Sequence, residues 1–200
     1  GLDARPAIER YFRNEDGVQI DALLSLTGFS LVGGPAYNDS EAAVQVLKDL
    51  DVPYLSAHPL EFQTIDQWTV SGQGLGPVET TMLIALPELD GATYPTVYAG
   101  RVGENEFKSA EKKPGINTRM MVPITERIET IVARTQKVAL LKRKDRKTKK
   151  IAIVLFGFPP NAGAAGTAAY LSVYESLFNT LVALANDGYS VEIPENVDAL

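Results

Sequence analysis

The sequence predicts an α/β fold: parallel-sheet βαβ units from two adjoining domains, joined by a long helix. Three observations carry this. A run of strand length, a helix-periodic run and a second strand follow one another within 40 residues near the start. The same grammar returns near the end. Between them lies a 22-residue stretch with the apolar spacing of a helix.

In the first unit, "IDALLSLTGF" (20–29) is apolar and of strand length, and "GG" before Pro35 marks a turn. "SEAAVQVLKDL" (40–50) spaces Ala43, Val44, Val46, Leu47 and Leu50 as one helical face, with Ser40 as the expected N-cap. "DVPYLSA" (51–57) then reads as a strand. A strand, a crossover helix and a strand over so short a span favour parallel pairing.

The helical stretch is "PITERIETIVARTQKVALLKRK" (123–144). Its apolar positions recur at Ile124, Ile128, Ile131, Val132, Val138 and Ala139, Thr125 is the expected cap, and basic residues gather at the end that favours them. In the last unit "KKIAIVLFGF" (149–158) reads as a strand and "GFPPNAGAAGT" as a turn-rich loop. "AAYLSVYESLFNTLVALAN" (168–186) reads as a helix that Gly188 closes, and "YSVEI" as a strand. "RVGENEFKSAEKKPGINT" (101–118) has no period and reads as a long exposed loop. The expected division is 1–122, a partial α/β domain; 123–147, a connecting helix; and 148–200, the start of a second α/β domain. Gly1 in place of methionine, and an end just after the last expected strand, read as an internal piece of a longer chain.

Composition removes several chemistries. The chain has no cysteine, so disulfides, thiolate nucleophiles and cysteine-bound metal centres are excluded within it. The net charge is −6, yet "KRKDRKTKK" (142–150) alone carries +6 and leaves −12 for the rest. One basic cluster on an acidic chain argues against nucleic-acid binding and reads as a solvated helix end or linker. No apolar run reaches the roughly 18 residues of a membrane span. No G-x-x-x-x-G-K-[ST] occurs, so the loop after residue 157 lacks the lysine and hydroxyl of a Walker phosphate site.

The residues with chemical potential sit around two segments. His58, the sole histidine, follows a predicted parallel strand, where ligands bind in open α/β sheets. It stands with Glu61 in "HPLEFQT", and Trp68 and Tyr54 could flank a planar ligand. A structural role is the more usual one for a lone histidine and for each of these aromatic residues. In "ETTMLIALPELDG", Glu79 precedes an apolar run while Glu88 and Asp90 follow it. Pro87 and Gly91 place Glu88 at an element's end, and partial burial there would raise its pKa and suit it to proton transfer. A surface turn and the rim of a site are both open on these residues alone.

"VPYLSAHPLEFQTIDQW", "GLGPVETTMLIALPELDGATYPTVYAGR", "KVALLKRK" and the stretch from "IAIVLFGF" to the end resemble, in order, the large porphyrin-binding subunit of magnesium chelatase, in its bacteriochlorophyll-type version. The cobalt chelatase large subunit shares "LPELDG" but is less similar across "HPLEFQT". The resemblance implies ATP-dependent insertion of Mg²⁺ into protoporphyrin IX in (bacterio)chlorophyll biosynthesis. ATP would be hydrolysed by two smaller AAA+-type partner subunits, in the cytoplasm, with peripheral membrane association left open. Glu88 is then the expected base or transient Mg²⁺ ligand. Asp90 and Glu79 are further metal candidates, His58 a proton acceptor, and Glu61 and Trp68 substrate contacts. The alternatives are a porphyrin-binding or ATPase-docking module without chemistry of its own, and cobalt specificity.

Overall fold

A computed structural model of the chain describes residues 3–34, 37–102, 121–155 and 172–200. Of the expected loop at 101–118, Arg101 ends a strand and residues 103–118 lie outside the described residues, as do the turn-rich loop at 157–167 and the start of the last helix. The chain divides into two compact units, Gly1–Ala139 and Leu140–Leu200.

The first unit is built on a four-stranded sheet. In chain order it opens with helix α1 (Arg5–Tyr11), a hairpin of β1 (Arg13–Asn14) and β2 (Gly17–Val18), and β3 (Leu23–Ser25). A second small hairpin, β4 (Gly33–Gly34) with β5 (Tyr37–Asn38), precedes helix α2 (Ser40–Leu50) and the long strand β6 (Tyr54–Thr64). Helix α3 (Ile65–Val70) follows. Then α4 (Pro77–Glu79), a π-helical stretch (Thr80–Ala85) and α5 (Leu86–Leu89) run on without a break. Strands β7 (Thr93–Arg101) and β8 (Met121–Pro123) and helix α6 (Thr125–Arg143), whose last turn from Leu140 is counted with the second unit, complete the series.

Sheet order is β3-β6-β7-β8. β3 and β7 flank β6 in parallel, with Ser25 opposite Ser56 and His58 opposite Val97, and β8 closes the edge antiparallel. The predicted β3–α2–β6 unit is therefore present and parallel. Its helix is capped by Asp39, whose side chain accepts from the Ala42 N–H at 3.0 Å, and not by Ser40, which is already the first helical residue. Both residue types cap helices; Asp39 also brings a carboxylate to the positive end of the helix dipole. Ile8, Leu31, Ala43, Leu50, Tyr54 and Ala92 form the core that α1 and α2 bury against the sheet. On β7, Tyr94 has a φ of +54° where three residues of β7 span two of β6, a bulge that bends the strand.

Helix α6 begins at Thr125 itself, so Thr125 is not the residue before the helix as a cap would be. Ile131 is its buried residue, and the Arg134 guanidinium donates to Thr96 Oγ1 at 2.8 Å while lying 5.4 Å over the Tyr94 ring.

The second unit holds a short 3₁₀ turn (Arg146–Thr148) and helix α7 (Val173–Asn186), closed by Gly188 at φ +91°. Residues 151–155 and 189–193, expected as strands, pair with no strand among the described residues, and Val154 is 90% exposed. A strand exists only through its partner, which hydropathy cannot supply. The basic cluster is exposed apart from Lys149, and Arg146 pairs with Asp187 at 2.7 Å on the surface, a contact worth about 0–1 kcal/mol.

Candidate functional site

In an open parallel sheet the strands' carboxyl ends are where side chains and helix termini converge. Here that end is formed by the loop after β3, the second half of β6, the loop at 71–76 and the helical run 77–89.

The run ends at "PELDG" in a defined way. The Gly91 N–H donates to Glu88 O and the Ala92 N–H to Pro87 O, each at 2.9 Å, with Gly91 at φ +102°. This is a Schellman close: a left-handed residue turns the chain and two terminal carbonyls find donors. Pro87 and Ala92 are buried beneath it. Upstream, Pro87 has no N–H to give to the carbonyl four residues back. The helix widens before it, and the Leu86 N–H reaches five residues back to Thr81 O. A π-turn is the form in which a helix absorbs such a break.

This geometry separates the two acidic residues of the corner. Asp90 turns inward and is 1% exposed. Its Oδ2 accepts from Ser30 Oγ and from the Leu31 N–H, both at 2.7 Å, while its Oδ1 is buried without a hydrogen-bond partner. Glu88 turns outward and is exposed. The partial burial expected of Glu88 belongs instead to its neighbour.

Glu79, 2% exposed, is occupied at both oxygens. Oε1 accepts from the Phe62 N–H at 3.1 Å; Oε2 accepts from Gln63 Nε2 at 2.5 Å and the Gly76 N–H at 3.4 Å. It thus staples the glycine-rich loop 71–76 to the end of β6. The structure does not bring Glu79, Glu88 and Asp90 together as a metal-ligand set. Among the described residues no three His, Asp or Glu side chains are so grouped.

His58 is 1% exposed. Gly28 lies against it: its φ of +69° strains any side chain, and a Cβ there would stand 3.7 Å from His58 Cβ and push on Leu83 Cδ2 at 2.7 Å. Burial lowers the His58 pKa below its ordinary 6.5, opposed by the Pro59 carbonyl 3.3 Å from Nδ1 and by the charge of Glu79. The imidazole is accordingly neutral at pH 7. A proton on Nδ1, donated to Pro59, leaves Nε2 as the acceptor.

The unfolded chain binds a proton at His58 more readily than the folded one, so stability is retained above about pH 6.5 and lost as pH falls below it. Thermal unfolding of the full-length protein at pH 7.5 and 5.5 should show this loss, and His58→Gln should show less of it. An identical acid loss in both would place the sensitive group elsewhere.

Trp68 and Glu61 are both half-buried. Trp68 sits in α3, fixed by a capping box in which Thr64 and Gln67 bond reciprocally. One face of its ring carries the Arg127 guanidinium at 5.2 Å, which occupies that face against a planar ligand. Beside the Glu79 staple lies a cavity of about 390 Å³, lined by Phe62, Leu75, Pro77 and Val78 among others. Phe62 and Val78 are exposed there.

Sequence reasoning missed the anchors Ser30 and Gln63 and the buried Ser56, whose hydroxyl has no hydrogen-bond partner; Tyr54, named there for its ring, buries its hydroxyl as well. Burial raises the Tyr54 pKa; Ser25 opposes this, and the charge of Asp90 adds to it. The signal was available: alternation puts Tyr54, Ser56 and His58 on one face of β6, an unusually polar row for a central strand.

The family model described as CobN/Magnesium Chelatase matches residues 1–200. The chain belongs to the CobN/magnesium chelatase family. Two members are the magnesium-chelatase H subunits of Cereibacter sphaeroides, 57% identical over 208 residues, and of Rhodobacter capsulatus, 58% identical over 205. Each match takes in 100% of this chain and 17% of the relative, so the chain spans about a sixth of the length of these family members. The Catalytic Subunit of Cobaltochelatase from Mycobacterium tuberculosis has the same fold, with a TM-score of 0.69 at 22% identity, over 94% of this chain and 15% of that one. Among the described residues of this family member, no helix is long and apolar enough to cross a membrane.

Proposed function

We propose that this chain is a segment of the porphyrin-carrying large subunit of magnesium chelatase, which inserts Mg²⁺ into protoporphyrin IX. The observation that carries the reading is the 57% identity to a magnesium-chelatase H subunit along the whole chain. Mg²⁺ and the porphyrin are the substrates. ATP hydrolysis is placed on two smaller AAA+-type partner subunits, and the assembly in the cytoplasm.

The chemistry assigns work to specific side chains. Mg²⁺ is a hard cation that gives up water reluctantly and accepts oxygen ligands in exchange. The macrocycle loses two N–H protons as the metal enters. Glu88, an exposed carboxylate on a rigid corner, is the proposed oxygen donor or base. Glu61 and Trp68 are proposed contacts for the macrocycle. His58 enters as a neutral proton acceptor behind them, sealed under the β3 loop. Asp90 and Glu79 leave the metal-binding set, since burial and hydrogen bonds hold them elsewhere.

A second reading, in which the segment binds the porphyrin and the chemistry lies elsewhere in the subunit, draws on the apolar cavity beside Phe62 and Val78. One experiment addresses both. The full-length subunit, reconstituted with its ATPase partners and ATP, is assayed for Mg²⁺ and Co²⁺ insertion, and alone for porphyrin fluorescence quenching. Mg²⁺ insertion is expected, and Co²⁺ insertion in its place overturns the reading.

A further inference from the structure

We infer that Asp90 is a positioning residue which, through a single carboxylate oxygen, fixes the corner that presents Glu88. The inference rests on the reading of Glu88 as the acting carboxylate. An exposed side chain at the end of a four-residue helix has little to hold it. What holds the backbone beneath Glu88 is the Schellman close and one long-range tie, from Asp90 Oδ2 to Ser30 Oγ and the Leu31 N–H, reaching 59–60 residues back along the chain. The receiving loop is itself secured. The single Ser30 hydroxyl proton is shared between Asp90 Oδ2 and Val32 O, 2.9 Å away, and Val32 O accepts independently from the Asp39 N–H at 3.1 Å, beside the cap of α2. The corner is thereby joined to the α2 end of the core.

Both bonds fall on one oxygen, and this is the discriminating feature. Asparagine offers one carbonyl oxygen in the same place and can accept both donors. A metal ligand or charged participant would not survive that exchange. A positioning residue does.

The variants Asp90→Asn, Asp90→Ala and Ser30→Ala are made in the full-length subunit. Each is assayed for Mg²⁺ insertion with the partner subunits, for porphyrin affinity, and for hydrogen exchange at the Gly91 and Ala92 amides. Asp90→Asn should keep kcat and the KM for Mg²⁺ within about threefold, with exchange unchanged, because both hydrogen bonds persist. Asp90→Ala should speed exchange at both amides by about tenfold or more as the close opens. It should also lower kcat about 100-fold, the scale of a roughly 1 Å misplacement, with porphyrin affinity unchanged. Ser30→Ala removes one bond of two and should lower kcat about three- to tenfold at constant KM.

Loss of turnover in folded Asp90→Asn equal to that in Asp90→Ala overturns the inference, as does wild-type exchange and turnover in folded Asp90→Ala. If Asp90→Ala does not fold, Asp90→Asn at wild-type turnover together with a lowered kcat in Ser30→Ala supports it, and an inactive Asp90→Asn rejects it. Full turnover in Glu88→Gln would remove the underlying reading alone, while the amide exchange still reports whether Asp90 holds the corner.

Discussion

Glu88→Gln in the full-length subunit is expected to lower Mg²⁺ insertion by at least about 100-fold, the low end of what a positioned base or acid contributes. The substitution preserves shape and removes charge and basicity. Because Glu88 is exposed, the fold should register a change within about 0.5 kcal/mol, so lost turnover cannot be ascribed to unfolding. Porphyrin affinity should hold, since the contacts proposed for the macrocycle are Glu61 and Trp68 and not this carboxylate. Fluorescence titration and steady-state insertion rates, measured on the same preparation, separate the two. Wild-type turnover would remove Glu88 from the chemistry and leave the binding-module reading in possession of this segment.

Glu79→Ala is expected to cost about 2–6 kcal/mol, because two part-buried donors, the Phe62 N–H and the Gln63 amide, each lose an acceptor worth roughly 1–3 kcal/mol. Glu79→Gln should rescue little. Both oxygens are engaged, so one donor must meet the new amide's NH₂. This is the reverse of the pattern expected at Asp90, where one oxygen suffices. The two buried acids therefore make an internal control: amide replacement tolerated at one and damaging at the other. Denaturant unfolding of the four amide and alanine variants would test it, and equal tolerance at both positions would refute the hydrogen-bond assignments.

The first βαβ unit was legible because its signals are local: apolar spacing in α2, turn residues beside it, strand-length runs on either side. Where the reading slipped by one residue, at Ser40 and Asp39, two good capping types stood side by side. The corner was harder. Sequence showed three carboxylates around an apolar run but not which faced inward, because helical phase counted from Pro77 fails across a stretch wound at a different pitch. The roles expected of Glu88 and Asp90 were divided by that phase. In the second unit the runs at 151–155 and 189–193 have strand composition, yet pairing is a property of neighbours. Asp90's tie to Ser30 spans 60 residues and leaves no mark in either local sequence.

The wide turn at Thr80–Ala85 makes this segment sensitive to length more than to chemistry. The coil there has already absorbed one extra residue, so inserting another would swing everything downstream by about 100°. Asp90 would be carried away from the β3 loop and Glu88 off its bearing, although no side chain had been altered. Point replacements at the exposed Thr80, Thr81 or Ala85 carry no such rotation. Spacing between Glu79 and the corner is thus the quantity this part of the protein has least freedom to vary.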